Sequence, residues 1–165
     1  MPFTPFHFGA GLAFKGLVPR YFSFSMFVLT NVAMDVEPLY KIWHLQTPLH
    51  GFSHTITGAL LIAAASVLIG RIVINCGWQL YAKLVVDSGT PFHLPWISAL
   101  SGAFLGTSSH LLLDGVMHAD MHPFSPLTNA NPLLMPDRLL ELHLACLLAG
   151  MTGMVLILVR AVMKH

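Results

Sequence analysis

The stretch 139–162, LLELHLACLLAGMTGMVLILVRAV, carries charge only at Glu141 and Arg160 and is otherwise almost wholly apolar. A helix needs about 20 mostly apolar residues to cross a hydrocarbon layer ~30 Å thick, because each residue rises ~1.5 Å. Two further segments meet that length, 54–74 (HTITGALLIAAASVLIGRIVI) and 94–116 (LPWISALSGAFLGTSSHLLLDGV). A fourth, 21–40, is apolar until Asp35, and a fifth, 6–18, is short and carries Lys15, so it either spans or re-enters. The whole chain agrees, with 55% hydrophobic residues, 9% charged residues and a mean hydropathy of +0.71. The expected fold is all-α, an integral membrane helical bundle of four to five transmembrane or re-entrant helices forming a single domain over 1–165.

The connectors 41–53, 75–93 and 119–138 are rich in proline and polar residues, and no internal repeat is visible. Gly102 and Gly106 in GAFLG have the small-xxx-small spacing of a close helix contact. Cys76 and Cys146 lie in apolar surroundings without a CxxC spacing and are expected to pack as small hydrophobes, not to bridge or bind metal. The formal net charge is +1 and no Lys/Arg cluster or basic aromatic stripe occurs, so no nucleic-acid partner is expected. The start, MPFTPFHFGAG, lacks the basic region and continuous apolar run of a cleavable signal.

If all five segments span, Lys15, Arg20, Arg71, Lys83, Arg160 and Lys164 fall on one side and only Lys41 and Arg138 on the other. The excess of positive charge on cytoplasmic loops then predicts a multi-pass inner-membrane protein with its N-terminus outside and its C-terminus in the cytoplasm. His7, Asp35, Glu37, His50, His54, His110 and Asp114 all fall toward the extracytoplasmic end. Segments far apart in sequence thereby bring ionisable groups to one depth, where each costs about 2.5–3.5 kcal/mol at a helix centre unless paired or functional.

Each motif has a plainer reading by itself. In HGFSHT, a helical start would put His50 and His54 at i and i+4 on one face, as a shared divalent ion requires; the alternative is a pair of histidines in the headgroup zone. HLLLD repeats that spacing with His110 and Asp114, and His118 follows on the same face; the alternative is a His–Asp hydrogen bond between helices. Asp35 and Glu37 in DVEP precede a helix-restraining proline, and acids at a membrane edge are also found simply solvated. In combination the set supplies nitrogen and oxygen ligands of the kind zinc or manganese accepts. It contains no thiolate, and His with carboxylate is the mixture that catalytic sites use.

The order PFHFG, NVAMDVEPLY, HGFSHT and SSHLLLD, then a loop containing PFSPL, resembles the membrane-bound metal-dependent hydrolase family related to the bacterial YdjM protein. The similarity covers roughly residues 1–130 in motif order. It implies an integral membrane helical protein with a divalent metal and hydrolase activity, and points to His7, Asp35, Glu37, His50, His54, His110 and Asp114. Related members often have an Arg after the first His of the histidine motif, where this chain has Gly51, and five steps between the histidines, where this chain has four. They can also carry a His at the position of Pro38, so that one group is either missing here or supplied by His118.

The expected activity is a metal-dependent hydrolase at the extracytoplasmic interface, acting on an amphiphile such as a lipid phosphoester or acyl ester. Its cofactor would be a divalent metal, Zn2+ or alternatively Mn2+. His7, Asp35, His50, His54, His110 and Asp114 are the candidate ligands; Glu37 is the candidate general base or bridging carboxylate. Asp120, in the loop HADMHPFSPLTNANP, is a candidate for orienting the attacking water or holding a second metal, and His122 is a weaker one. Glu141 and His143 read as helix-start residues. No GxSxG occurs, and Ser108 and Ser109 have a neighbouring His but no visible third partner. The competing class is a non-enzymatic membrane protein that binds or transports metal. Axial haem ligation by His54 and His110 is a third reading, disfavoured by the nearby carboxylates.

Overall fold

The computed structural model describes residues 6–86 and 92–163. Among these the chain is helical without strands: α1 (His7–Leu17), α2 (Phe24–Trp43), α3 (Ile56–Ala65), α4 (Arg71–Tyr81), α5 (Trp96–Met117) and α6 (Leu139–Val162). The π-helical turn Ser66–Gly70 joins α3 to α4, so the two form one unbroken rod, Ile56–Val85. The expected connector 75–93 is therefore helix through nearly its first two thirds. Nothing in RIVINCGWQLYAKLVV breaks a helix strongly except Gly77, and Asn75 spends its side chain on the Leu94 backbone N–H. The rest of that connector, 87–91, and Lys164 lie outside the described residues.

Two helices, Ile56–Val85 and Pro136–Val162, are long and apolar enough to cross a membrane. The apolar runs of α2 and α5 are interrupted by Asn31, Asp35 and Glu37 and by His110 and Asp114. The eleven residues of α1 rise only about 16 Å, half of a hydrocarbon layer.

Helix directions alternate along the chain. Helices α1 and α6 run side by side in the same sense: Phe6 meets the His143 ring, and Arg160 donates to the carbonyls of Gly16 and Leu17. The approach is close enough that a Cβ on Gly9 would strike the Cys146 carbonyl and one on Gly153 the Leu12 carbonyl. Helices α2 and α5 also run in parallel, in the opposite sense. There Gly102 and Gly106, the pair expected to mark a close contact, abut the Ser23 carbonyl and Thr30 of α2. Between these helices Met26, Phe27, Met34, Ala99 and Ala103 are fully buried.

Four ends consequently gather at one pole of the bundle: the start of α1, the second half of α2, the turn entering α3 and the last two turns of α5. The opposite pole holds Lys15, whose ammonium donates to the carbonyls of Pro19 and Phe22, together with Arg160.

Candidate metal centre

Asp114 sits at the centre of this pole with only 2% of its surface exposed. Its Oδ2 lies 3.2 Å from His110 Nε2, 3.4 Å from His54 Nε2 and 3.9 Å from His50 Nε2. Its Oδ1 lies 3.0 Å from His7 Nε2 and 3.9 Å from His118 Nε2. Asp35 approaches from α2, its Oδ1 3.5 Å from His110 Nε2. Five imidazoles and two carboxylates drawn from α1, α2, α5 with its C-terminal cap, and the loop before α3 therefore share one small volume, as the convergence of segments in sequence implied.

Local structure sets each group. His110 and Asp114 are one helical turn apart on α5, and Asp35 projects from α2 across the contact that Gly106 opens. His50 and His54 meet differently from the helical expectation. Helix α3 begins only at Ile56, with the Thr55 hydroxyl accepting from Gly58 N–H as its cap, while Phe52–His54 form a single 3-10 turn. The two rings still approach edge-on with centroids 4.8 Å apart, so a folded loop, not an i, i+4 spacing, joins them.

Proton positions follow from the outer hydrogen bonds. The Asn31 amide nitrogen donates to the Phe27 carbonyl, leaving Asn31 Oδ1 as an acceptor 3.0 Å from His110 Nδ1. His110 must therefore donate from Nδ1, and this contact orients the ring so that Nε2 points into the cluster toward Asp114 and Asp35. Asp120 does the same for His50: one carboxylate oxygen accepts from the backbone N–H groups of Leu49 and His50, and the other lies 2.8 Å from His50 Nδ1. The Ser53 hydroxyl occupies His54 Nδ1 at 2.8 Å. Three Nε2 atoms thus face inward toward two carboxylates, with His54 and His110 Nε2 only 3.3 Å apart.

With protonated imidazoles these contacts are His–carboxylate ion pairs, and with the same nitrogens deprotonated the cluster offers its atoms to a cation. The ligand atoms of Asp35, His54, His110 and Asp114 all lie within 4.8 Å of one another, and all four residues are buried. Four of the six separations, 3.2, 3.3, 3.4 and 3.5 Å, lie near the edge of about 3.3 Å of a tetrahedron with ~2.0–2.1 Å metal–ligand bonds. This buried His/Asp cluster could hold a metal ion, and its nitrogen and oxygen donors suit the purpose. A second group, His50, Asp114 and His118, meets the same 4.8 Å limit and shares Asp114 with the first.

The remaining expected residues fall around this centre. His7 stacks on His110, centroids 4.4 Å apart, and reaches Asp114 Oδ1 from outside both convergent groups. Glu37 faces away from the cluster: its two oxygens accept from the Phe52 and Ser53 backbone N–H groups, and Lys41 pairs with it at 2.9 Å. It pins the turn that carries His54, and a Cβ at Gly51 would collide with it, which accounts for glycine there. Asp120 acts through His50. Burial works to raise its carboxyl pKa, but the hydrogen bonds from His50 and Leu49 outweigh this and hold it below the ordinary value. Burial pushes the His118 imidazole down to about 4, with His50 adding to the effect and Asp114 opposing it. His122 is exposed and bonds the Asn129 carbonyl, and His143 packs on Phe6. Cys76 and Cys146 are free thiols.

Asn31 and Ser53 were missed in the sequence. Asn31 lies one turn before Asp35 on the same face of α2, and that N-x-x-x-D spacing was the available signal. Comparison with protein-family models, curated proteins and solved structures finds no match for this chain.

Proposed function

We propose that this chain is a membrane-embedded metal-dependent hydrolase that cleaves a phosphoester or acyl ester of an amphiphilic substrate, in keeping with the resemblance to the YdjM-related family. The observation that carries the reading is the buried set Asp35, His54, His110 and Asp114, whose ligand atoms all lie within 4.8 Å of one another without a thiolate. A divalent cation there, Zn2+ or Mn2+, supplies a hydroxide near neutral pH and draws charge from a substrate oxygen.

The chain's own residues orient and protect the centre. Asn31, Ser53 and Asp120 fix the imidazoles, and the packing of α2 against α5 excludes water from the first set. The flank with His118 and Asp120, whose side chains are 23% and 35% exposed, is the side from which water and substrate enter. The apolar faces of Ile56–Val85 and α6, the latter with only 11% of its most apolar stretch buried, suit a lipid surround. We place the protein as a multi-pass component of the inner membrane with the metal pole extracytoplasmic.

The test is hydrolysis of a headgroup-labelled phospholipid and of an acyl-labelled one in mixed micelles by the full chain, with and without Zn2+ or Mn2+. Metal-dependent release of one label that His54→Ala abolishes supports the reading, and absence of release from both substrates in metal-loaded protein contradicts it. The burial of Asp35, His54, His110 and Asp114, each at most 3% exposed, favours a second reading, a protein that binds or transports metal without catalysis. That reading requires bound metal with no hydrolysis.

A further inference from the structure

The two convergent groups share Asp114. Oδ2 faces His54 and His110 and, at 3.9 Å, His50, whereas Oδ1 faces His7 and, at 3.9 Å, His118. Imidazoles of both groups thus surround one carboxylate, which has the position of a ligand shared between two cations. His50 lies beside both sets, its ring against His54 at 4.8 Å and against His118 at 4.3 Å between centroids. Its Nδ1 is committed to Asp120, so Nε2 is the atom it offers inward.

We propose that the protein holds a second divalent cation on His50, Asp114 and His118, making the centre dinuclear with Asp114 as the bridging ligand. This inference rests on the metal-dependent reading above and extends it. The second set is looser than the first, with 3.9 Å from Asp114 to each imidazole nitrogen against 3.2–3.5 Å among the first four residues. It also has three protein ligands and a partly exposed His118, which leaves coordination positions for water or substrate on the open flank. The buried first cation is then the more tightly held, and the second is the exchangeable one that meets substrate. Paired cations would clamp the attacking and leaving oxygens of an in-line displacement, chemistry that suits a phosphoester.

The experiment loads detergent-purified full-length chain with Mn2+, removes excess ion, and counts manganese by elemental analysis beside electron paramagnetic resonance. Wild type is expected to hold two ions with the exchange-coupled spectrum of a pair. His118→Ala, at a partly exposed position, is expected to hold one ion with an isolated six-line spectrum. One ion in the wild type, with the same count and spectrum in His118→Ala, overturns the second site while leaving the first intact. Two ions retained in His118→Ala overturn the assignment of its ligands. No ion in the wild type overturns the proposed function along with it.

Discussion

Asn31 Oδ1 lies 3.0 Å from His110 Nδ1, and because the Asn31 amide nitrogen is already spent on the Phe27 carbonyl, this contact makes Nδ1 a donor and holds the orientation of the His110 ring. A buried asparagine on α2 thereby sets the face that a histidine on α5 turns toward Asp114. The same arrangement recurs at His50, with Asp120 in place of the amide.

Removing that outer contact is expected to weaken metal binding without abolishing it. Outer partners of metal-ligating histidines are worth about 10–100-fold in affinity. Asn31→Ala should therefore raise the dissociation constant for Zn2+ by that factor in a competition titration, with the saturating stoichiometry unchanged.

Glu37 separates an anchoring role from a chemical one. Its carboxylate holds the Phe52 and Ser53 N–H groups. Glu37→Gln should lower the melting temperature while any hydrolysis falls only in proportion to folded protein. A general base would instead lose turnover with melting temperature and metal content intact.

His7 depends on the seam between α1 and α6. A side chain at Gly153 meets the Leu12 backbone, which cannot give way as a side-chain tip does. Gly153→Val is expected to cost about 1–3 kcal/mol, the usual range for overpacking, and to separate α1 from α6. Denaturation in detergent measures the cost. Loss of metal affinity in the same variant would register displacement of His7 from Asp114.

Chelation should destabilise the wild type selectively. A ligand that binds only the native state at 100 times its dissociation constant stabilises it by about 2.7 kcal/mol. Adding a chelator should lower the wild-type melting temperature and leave that of Asp114→Ala unmoved, as differential scanning fluorimetry would record.

Much of this site was legible because it lies on regular helices. The i, i+4 relation of His110 and Asp114 survives unchanged, and the depth shared by Asp35, His54 and His110 followed from alternating apolar segments. What the sequence concealed belongs to the loops and to packing. His50 and His54 meet through a 3-10 turn that the acceptors Glu37 and Asp120 hold, and a spacing of four mimicked a helical face. The continuation of helix past residue 75 was hidden because polar residues such as Asn75 and Gln79 read as a connector when their partners are unknown. Glu37 was read as a general base or bridging carboxylate because sequence does not show which backbone N–H groups a carboxylate will satisfy.

The most direct measurement is the divalent metal content of detergent-purified full-length protein, wild type beside His54→Ala and Asp114→Ala, each verified as helical by circular dichroism. The expected result is near-stoichiometric or higher metal in the wild type, lost in Asp114→Ala and reduced in His54→Ala. Folded wild type that holds no zinc or manganese even after reconstitution would contradict the metal centre, leaving the buried histidines and carboxylates as a hydrogen-bonded joint between helices.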